Sequence, residues 1–226
     1  MRYEKQDGRI SKTVNRVQAL RSRPHVIQLG FNKTGTSSLG RLFTSNNYTV
    51  GSARFAKLIK KNIDQKIAPY SGMENIDLFQ DVENHKKCIY IYEYFETIFE
   101  NYPESYYILT TRSCESWIKS RMLHKQGNYA RIALEHKGIS SLSELRDIWR
   151  SEFYEYHLRV NTFFNKRKNF FTLSLENINF NALQDFLKRD YTFKQSTYPK
   201  VLTGKAAPPK GVTLPDTKSF VRINYS

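Results

Sequence analysis

The residues with the clearest chemical potential form a short run of Lys, Gly and hydroxyl side chains, FNKTGTSS, at positions 31–38. Lys33 supplies a full positive charge, and Gly35 allows a close backbone approach that a Cβ atom would obstruct. Where such a loop opens a helix, backbone N–H groups and the helix dipole converge on one point. This segment is therefore predicted to bind a phosphate-like anion. The predicted binding residues are Asn32, Lys33, Thr34, Gly35, Thr36, Ser37 and Ser38.

A second anion-binding position is predicted where the apolar run YYILTT ends. Arg112 directly follows this run, and Ser120 lies eight residues further along the chain. Arginine offers a planar fork of donors for phosphate oxygens, and a serine two turns into the next helix adds a neutral donor. An Arg–Ser pair is common by chance, so its weight comes from its place at a second strand-to-helix junction.

The strands and helices that would position these residues alternate along the chain. Strands are predicted from the runs HVIQLG (25–30), IDLFQDV (76–82), ESYYILTTR (104–112) and NFFTLSL (169–175). Helices are predicted over 36–47, 52–65, 89–103, 113–125, 141–163 and 179–188. The alternation predicts a three-layer α/β fold with a mostly parallel central sheet, similar to P-loop nucleotide-binding folds. Ligands bind at the carboxyl ends of such strands, where both candidate sites lie.

Several side chains are predicted to have structural roles. SLSE at 141–144 matches a capping box that starts the long helix. Trp117 is expected in the core, and Cys114 is expected to be an inert buried thiol. Core-facing positions in the first two helices are predicted to be Leu39, Leu42, Phe43, Phe55, Leu58, Ile59 and Ile63.

The loop at 30–38 departs from a Walker A loop. That pattern ends in adjacent Gly-Lys-Ser/Thr, whereas Lys33 here precedes Gly35 by two positions. No apolar strand ending in a metal-binding Asp with a matching magnesium signature is evident downstream. An ATP-hydrolysing P-loop is therefore disfavoured.

Instead, GFNKTGTSSL resembles the 5′-phosphosulfate loop of sulfotransferases that use 3′-phosphoadenosine 5′-phosphosulfate (PAPS). Arg112 and Ser120 resemble the second signature of that family, which holds the 3′-phosphate of the donor. The run QDVENH resembles the Asp-x-Pro segment of a bacterial-type branch, with Asp81 at the Asp and Glu83 replacing the proline. The resemblance implies transfer of a sulfuryl group from PAPS to an acceptor hydroxyl or amine, release of 3′-phosphoadenosine 5′-phosphate (PAP), and no metal requirement.

The resemblance also implies catalytic roles. Lys33 would stabilise the charge on the leaving phosphate. The family uses a His or an acidic residue as general base near the end of a strand, and QDVENH offers Asp81, Glu83 and His85. Asp81 ranks first because it matches the Asp of the motif. Glu83 would share its side of a continuing strand, and His85 is a suitable proton acceptor that follows the predicted end of the strand.

Composition favours one globular domain with basic ends. The chain has 226 residues, a formal net charge of +15 and two cysteines. Residues 1–25 carry seven Lys/Arg against two acidic residues, and residues 199–226 carry five against one. We predict a basic arm at 1–24, a single α/β domain at 25–198, and an irregular basic tail at 199–226 that could close over the donor site. The lack of a long apolar run and of a signal-like start favours a cytoplasmic protein.

Three other interpretations stay open at this point. One is a pseudoenzyme that keeps the donor pocket without turnover, which binding of the donor product with no transfer to any acceptor would indicate. A P-loop nucleotide kinase-like phosphotransferase would bind Mg-ATP, which the position of Lys33 disfavours. A basic nucleic-acid-binding protein without catalysis would need exposed aromatic residues between Lys and Arg, but most aromatic residues lie in apolar-periodic segments. The predicted partners are PAPS and a small-molecule or glycan acceptor, with nucleic acid disfavoured.

Overall fold

The computed structural model describes residues 23–200, which fall into two compact units. The first unit contains residues 23–112 and 159–200, and the second contains residues 113–158. Apart from positions 23–24 and 199–200, the predicted basic arm and basic tail lie outside the described residues. The assignment of 25–198 to one domain stays a prediction.

A parallel sheet forms the centre of the first unit. Five strands occur in the order β2-β3-β1-β6-β7, and every neighbouring pair is parallel. The strands are β1 (Val26–Gln28), β2 (Val50–Gly51), β3 (Leu78–Phe79), β4 (Glu83–Asn84), β5 (Ile89–Tyr90), β6 (Tyr106–Thr111) and β7 (Phe170–Ser174). Strands β4 and β5 form a separate antiparallel hairpin. Because the five central strands are parallel, their carboxyl ends meet at one edge, where the candidate residues follow β1, β3 and β6.

Helices connect these strands. They are α1 (Thr36–Thr44), α2 (Ala56–Asp64), α3 (Phe95–Asn101), α4 (Cys114–Met122), α5 (Asn128–Lys137), α6 (Leu142–Phe164) and α7 (Phe180–Leu187). Short 3₁₀ segments cover 53–55, 85–87 and 91–94. Helix α1 begins directly after the predicted anion-binding loop, as the hydroxyl-rich sequence indicates.

Helices α1 and α7 cover one face of the sheet. Leu39 and Leu42 of α1 recur at helical spacing and are buried in one cluster with Leu183 and Leu187 of α7. The strand residues of the same cluster are Val26, Leu78, Tyr106, Ile108 and Leu173. Burial of this apolar stripe fixes the start of α1 against the end of β1, and so positions the loop between them.

The other face of the sheet is covered by α3 and the last turns of α6. Strand side chains alternate between faces, so Tyr107 lies opposite to its neighbours Tyr106 and Ile108. The rings of Phe99 and Phe164 pack on Tyr107 with centroid distances of 5.5 and 4.9 Å. With helices on both faces of a parallel sheet, the predicted three-layer α/β architecture is confirmed.

The second unit is helical and contains α4, α5 and the first part of α6. Its centre is Arg121, which is only 4% exposed and donates a 2.8 Å hydrogen bond to the Tyr129 hydroxyl. The guanidinium lies 4.4 Å from the ring centroid of Trp117 and 5.1 Å from that of Trp149. Trp117 is therefore a core residue, as predicted. Ser141 Oγ accepts a 3.3 Å hydrogen bond from the Glu144 amide, as a capping box requires.

Two expectations about local structure are wrong, and one helix was not predicted. The helix predicted over 89–103 begins only at Phe95, because residues 89–90 pair with β4 and residues 91–94 form a 3₁₀ turn. Leu58 was expected in the core but is 41% exposed, since the buried stripe of α2 runs through Ala56, Ile59 and Asn62. Helix α5 was not predicted, because its sequence NYARIALEHK mixes small, polar and apolar residues.

Candidate active site

The backbone of the loop between β1 and α1 suits an anion. Lys33 and Gly35 have φ angles of 67° and 93°, so two left-handed residues turn the chain toward the start of α1. Gly35 is the N-cap residue of α1 and provides no side-chain cap. The first amides of a helix have no acceptor within the helix, so the start of α1 offers N–H donors to a ligand. A phosphate-like anion fits this arrangement.

Gly35 is also required by packing. A Cβ atom on this residue would lie 2.4 Å from Cδ2 of Leu175, which directly follows β7. Only glycine both adopts this φ angle readily and has no side chain that would clash with Leu175. The glycine at the centre of the predicted motif is thus explained by two separate features of the structure.

The polar side chains of this loop divide into two groups. Ser37 is exposed and Lys33 is half-buried, so both reach the surface where a ligand would lie. Thr36 and Ser38 are buried at the start of α1. Thr34 is fully buried, and its hydroxyl donates to the Phe31 carbonyl and lies 2.7 Å from Thr110 Oγ1. The Thr34 hydroxyl therefore holds the loop against β6.

Arg112 follows β6 and contacts the same loop. Its Nη1 lies 3.4 Å from the Lys33 carbonyl oxygen, at the limit of a hydrogen bond. Its Nε is buried and has no hydrogen-bond partner among residues 23–200. A buried guanidinium N–H without an acceptor is costly, and an anionic ligand would satisfy it. Ser120, the other half of the predicted pair, lies half-buried on α4 in the second unit and stays a prediction.

Two of the predicted carboxylates follow the end of β3. Asp81 has a left-handed φ of 49°, and its amide donates a 3.0 Å hydrogen bond to Gln28 Oε1 at the end of β1. Glu83 begins the β4–β5 hairpin, and its Oε1 accepts a 2.7 Å hydrogen bond from Asn32 Nδ2. The carboxylate of Glu83 therefore lies beside the residue that precedes Lys33.

His85 has different surroundings. It begins the 3₁₀ turn between β4 and β5, and its Nδ1 is 2.8 Å from the Tyr90 hydroxyl. This contact belongs to the hairpin, whereas the contact of Glu83 belongs to the β1–α1 loop. The structure thus connects Glu83, through Asn32, with the predicted anion site and engages His85 within its own turn.

Sequence reasoning missed two buried polar residues beneath the loop. Gln28 Nε2 donates to the Gly30 carbonyl at 2.6 Å and to Thr110 Oγ1 at 2.7 Å. Gln28 and Thr110 are both buried. A signal was present, because Gln28 is the polar residue at the end of the otherwise apolar strand VIQ, and buried polar groups are normally hydrogen-bonded.

Between residues 23 and 200, no group of three or more His, Cys, Asp or Glu side chains is arranged to hold a metal ion. Over the same residues, no helix combines the length and apolar composition needed to cross a membrane.

Comparison with known proteins identifies the family. The sulfotransferase domain family matches residues 25–172, which is more than half of the chain. The matched segment contains the β1–α1 loop, Arg112 and all three candidate bases. A search of curated proteins returned no match. The chain belongs to the sulfotransferase family, and it is a transferase of the α/β class.

Proposed function

We propose that this protein transfers a sulfuryl group from PAPS to an acceptor hydroxyl or amine and releases PAP. The family match supports sulfuryl transfer in general. The choice of PAPS as donor depends on the anion-binding features described above. PAP and PAPS carry anionic groups at both the 5′ and the 3′ positions of the nucleoside, so a donor site must hold two separate anions.

The observation that carries this proposal is the meeting of two anion-binding features at Lys33. The uncapped start of α1 follows Lys33 by three residues, and Arg112 reaches the Lys33 carbonyl from the end of β6. The buried, unpartnered Nε of Arg112 supports a second anion beside the loop. We assign the 5′ group to the loop and the 3′-phosphate to Arg112, with Ser120 as its proposed neutral partner.

The chemistry requires positioning and charge stabilisation. PAPS supplies a sulfuryl group on its 5′-phosphate. Transfer breaks the S–O bond to that phosphate, forms a bond from sulfur to the acceptor oxygen or nitrogen, and passes the acceptor's proton to a base. Lys33 and the first amides of α1 hold the negative charge that develops on the leaving phosphate. Since these groups already provide the charge stabilisation, we propose that no metal ion is needed.

Glu83 is the general base that the geometry supports best. Its carboxylate is hydrogen-bonded to Asn32 and is therefore held beside the loop that would carry the reacting sulfate. Asp81 lies two residues earlier, in the same segment, and remains the second candidate. His85 is third, because its imidazole contacts Tyr90 in the hairpin turn.

The test is titration calorimetry with PAP, AMP and Mg-ATP, using wild-type protein, Arg112→Ala and Arg41→Ala. Arg41 is exposed on α1, so its substitution removes the same charge from the same unit without touching the proposed site. Hydrogen bonds to charged groups contribute about 1.5–3 kcal/mol, so Arg112→Ala should weaken PAP binding about ten- to a hundredfold. Arg41→Ala should bind PAP like wild type.

Transfer itself is measured with radiolabelled PAPS and a panel of alcohol, phenol, amine and carbohydrate acceptors. Tight PAP binding, weak AMP binding and label on one acceptor class support the proposal. Binding of Mg-ATP in preference to PAP would contradict it and favour a phosphotransferase. Equal losses in Arg112→Ala and Arg41→Ala would contradict the role assigned to Arg112.

A further inference from the structure

Gln28 spans the carboxyl ends of three adjacent strands. It is the last residue of β1, it is 6% exposed, and β1 lies between β3 and β6. Toward β6, its Nε2 donates to Thr110 Oγ1; toward the end of β3, its Oε1 accepts from the Asp81 amide. One side-chain amide therefore connects the loop side of the site with the segment that carries the candidate bases.

The direction of these hydrogen bonds is determined by the groups involved. Nε2 of Gln28 faces the Gly30 carbonyl, which can only accept, and Oε1 faces the Asp81 amide, which can only donate. The Thr34 hydroxyl gives its proton to the Phe31 carbonyl, so the Thr110 hydroxyl donates to Thr34 Oγ1. A single chain of donors thus runs from Gln28 through Thr110 and Thr34 to Phe31. We call the side chains of Gln28, Thr110 and Thr34 the Gln28 bridge.

The backbone is tightly packed where the bridge passes between Gly30 and Thr110. A Cβ atom on Gly30 would lie 2.0 Å from the Thr110 carbonyl oxygen and 2.2 Å from Thr110 Oγ1. The loop therefore rests directly on β6 at the point where the bridge passes. Buried and satisfied polar networks of this kind hold one arrangement of the groups they connect.

The Asp81 end of the bridge acts on the candidate bases. Asp81 turns the chain with its left-handed φ of 49°, and the Glu83 amide donates a 2.9 Å hydrogen bond to the Asp81 carbonyl. Gln28 holds the amide of Asp81, so it sets where this turn begins. The position of this turn then determines where Glu83 contacts Asn32 on the β1–α1 loop.

We propose that Gln28 is a positioning residue for sulfuryl transfer, because it holds the donor loop and the segment that carries the base in a fixed position relative to each other. This inference rests on the proposed function. The bridge has two arms: one through Thr110 and Thr34 to the donor loop, and one through the Asp81 amide to the base. A purely structural Gln28 would affect both arms only through the stability of the fold.

Three substitutions separate the two arms. Gln28→Met has a similar length and removes both arms. Gln28→Glu keeps an acceptor for the Asp81 amide, but it cannot donate to the Gly30 carbonyl and places a negative charge beneath the anion site. Thr110→Val keeps the shape of the side chain and removes only the hydroxyl that orients Thr34, so the base arm stays intact.

The experiment compares these variants with wild type in four measurements. They are the unfolding temperature, the Kd for PAP by calorimetry, kcat at saturating PAPS and acceptor, and amide hydrogen exchange of Asp81 and Glu83. For Gln28→Met we expect exchange at Asp81 to accelerate and kcat to fall, each about tenfold or more. For Gln28→Glu and Thr110→Val we expect the PAP Kd to rise about tenfold, with kcat and Asp81 exchange within about threefold of wild type.

Two outcomes would overturn the role proposed for Gln28. A Gln28→Met protein with wild-type kcat overturns the proposal, and so does a kcat that falls in all three variants in step with the unfolding temperature. If Gln28→Met does not fold, Gln28→Glu is compared with wild type. A PAP Kd raised about tenfold with Asp81 exchange within about threefold of wild type supports the proposal, and an unchanged PAP Kd overturns it. Failure of the proposed function is recognised separately, because wild-type protein would then neither bind PAP nor transfer label.

Discussion

The side-chain amide of Asn32 donates a 2.7 Å hydrogen bond to Glu83 Oε1 and so connects the β1–α1 loop with the β4–β5 hairpin. These residues are 51 positions apart in the chain. Asn32 directly precedes Lys33, so the bond places a carboxylate beside the sequence neighbour of the residue proposed to stabilise the leaving group. This contact is the observation that supports Glu83 as the proposed base.

The three candidate bases are tested by isosteric substitutions. We expect Glu83→Gln to lower kcat about a hundredfold or more, because general base catalysis typically contributes 10²–10⁴-fold. Asp81→Asn and His85→Gln should lower kcat by less than about tenfold. The measurement is kcat with saturating PAPS, and PAP affinity serves as the control for folding of the donor site. A larger loss in Asp81→Asn than in Glu83→Gln would assign the base to Asp81.

Asn32 is tested by a double-mutant cycle with Glu83. If Asn32 acts by orienting Glu83, Asn32→Ala should lower kcat about tenfold in the wild-type background and have little further effect in Glu83→Gln. The PAP Kd should then change by less than about threefold. If Asn32 binds the donor instead, as the sequence motif predicts, the PAP Kd will rise and the two substitutions will have additive effects.

Two glycines of the site region differ in what surrounds them. A Cβ on Gly30 would lie 2.0 Å from the carbonyl oxygen of Thr110, whereas a Cβ on Gly40 would lie 2.2 Å from the end of the flexible Gln80 side chain. Overpacking against backbone costs about 1–3 kcal/mol, so Gly30→Ala should lower the free energy of unfolding by that amount. Gly40→Ala should stay within about 1 kcal/mol of wild type, because helix propensity favours alanine by a similar amount. Urea unfolding of both variants measures the difference, and equal stabilities would contradict the rigid packing of Gly30.

His157 makes the stability of the second unit depend on pH. Burial lowers the pKa of His157 below its ordinary value of 6.5, although the hydrogen bond from Nδ1–H to the Phe153 carbonyl acts in the opposite direction. Above that ordinary value His157 is neutral whether folded or unfolded, so its contribution does not change with pH. As the pH falls below it, the unfolded chain takes up a proton first and stability is lost.

The pH dependence is measured by thermal unfolding between about pH 7.5 and pH 5. His157→Gln should lose less stability over this range than wild type. The exposed His136 on α5 provides the matched control, because His136→Gln removes an imidazole from the same unit without removing the buried one. Equal slopes in wild type and His157→Gln would contradict the predicted direction.

The two thiols should differ in reactivity. Cys88 is exposed, whereas Cys114 is 6% exposed and burial raises the pKa of its thiol to about 11. The thiolate is the reactive form, so Cys114 should be inert at about pH 8 in the folded protein. Iodoacetamide should modify Cys88 in native protein and both thiols in urea, with peptide mass spectrometry assigning the sites. Native protein of the Cys88→Ser variant should show no modification.

Long apolar or strongly periodic segments were predictable from the sequence. The run VIQLG, the run YYILTT and the Leu39–Leu42 stripe specified β1, β6 and α1, because their burial needs no information from distant segments. The β4–β5 hairpin was not predictable. Its strands have two residues each, and the pairing of Glu83 with Tyr90 that forms them depends on neighbours that the local pattern does not reveal.

The features of the candidate site also divide into those that depend on local sequence and those that depend on the tertiary structure. The amino-acid sequence by itself determined the backbone of the β1–α1 loop that we propose binds an anion, because Lys33, Gly35 and the start of α1 act through local backbone geometry. Only the tertiary structure decided that Glu83 meets this loop through Asn32 and that Gln28 connects the end of β6 with the segment that carries Asp81. Gln28 is 53 residues from Asp81 and 82 from Thr110, and the parallel sheet brings them together because the strands that carry them end at one edge.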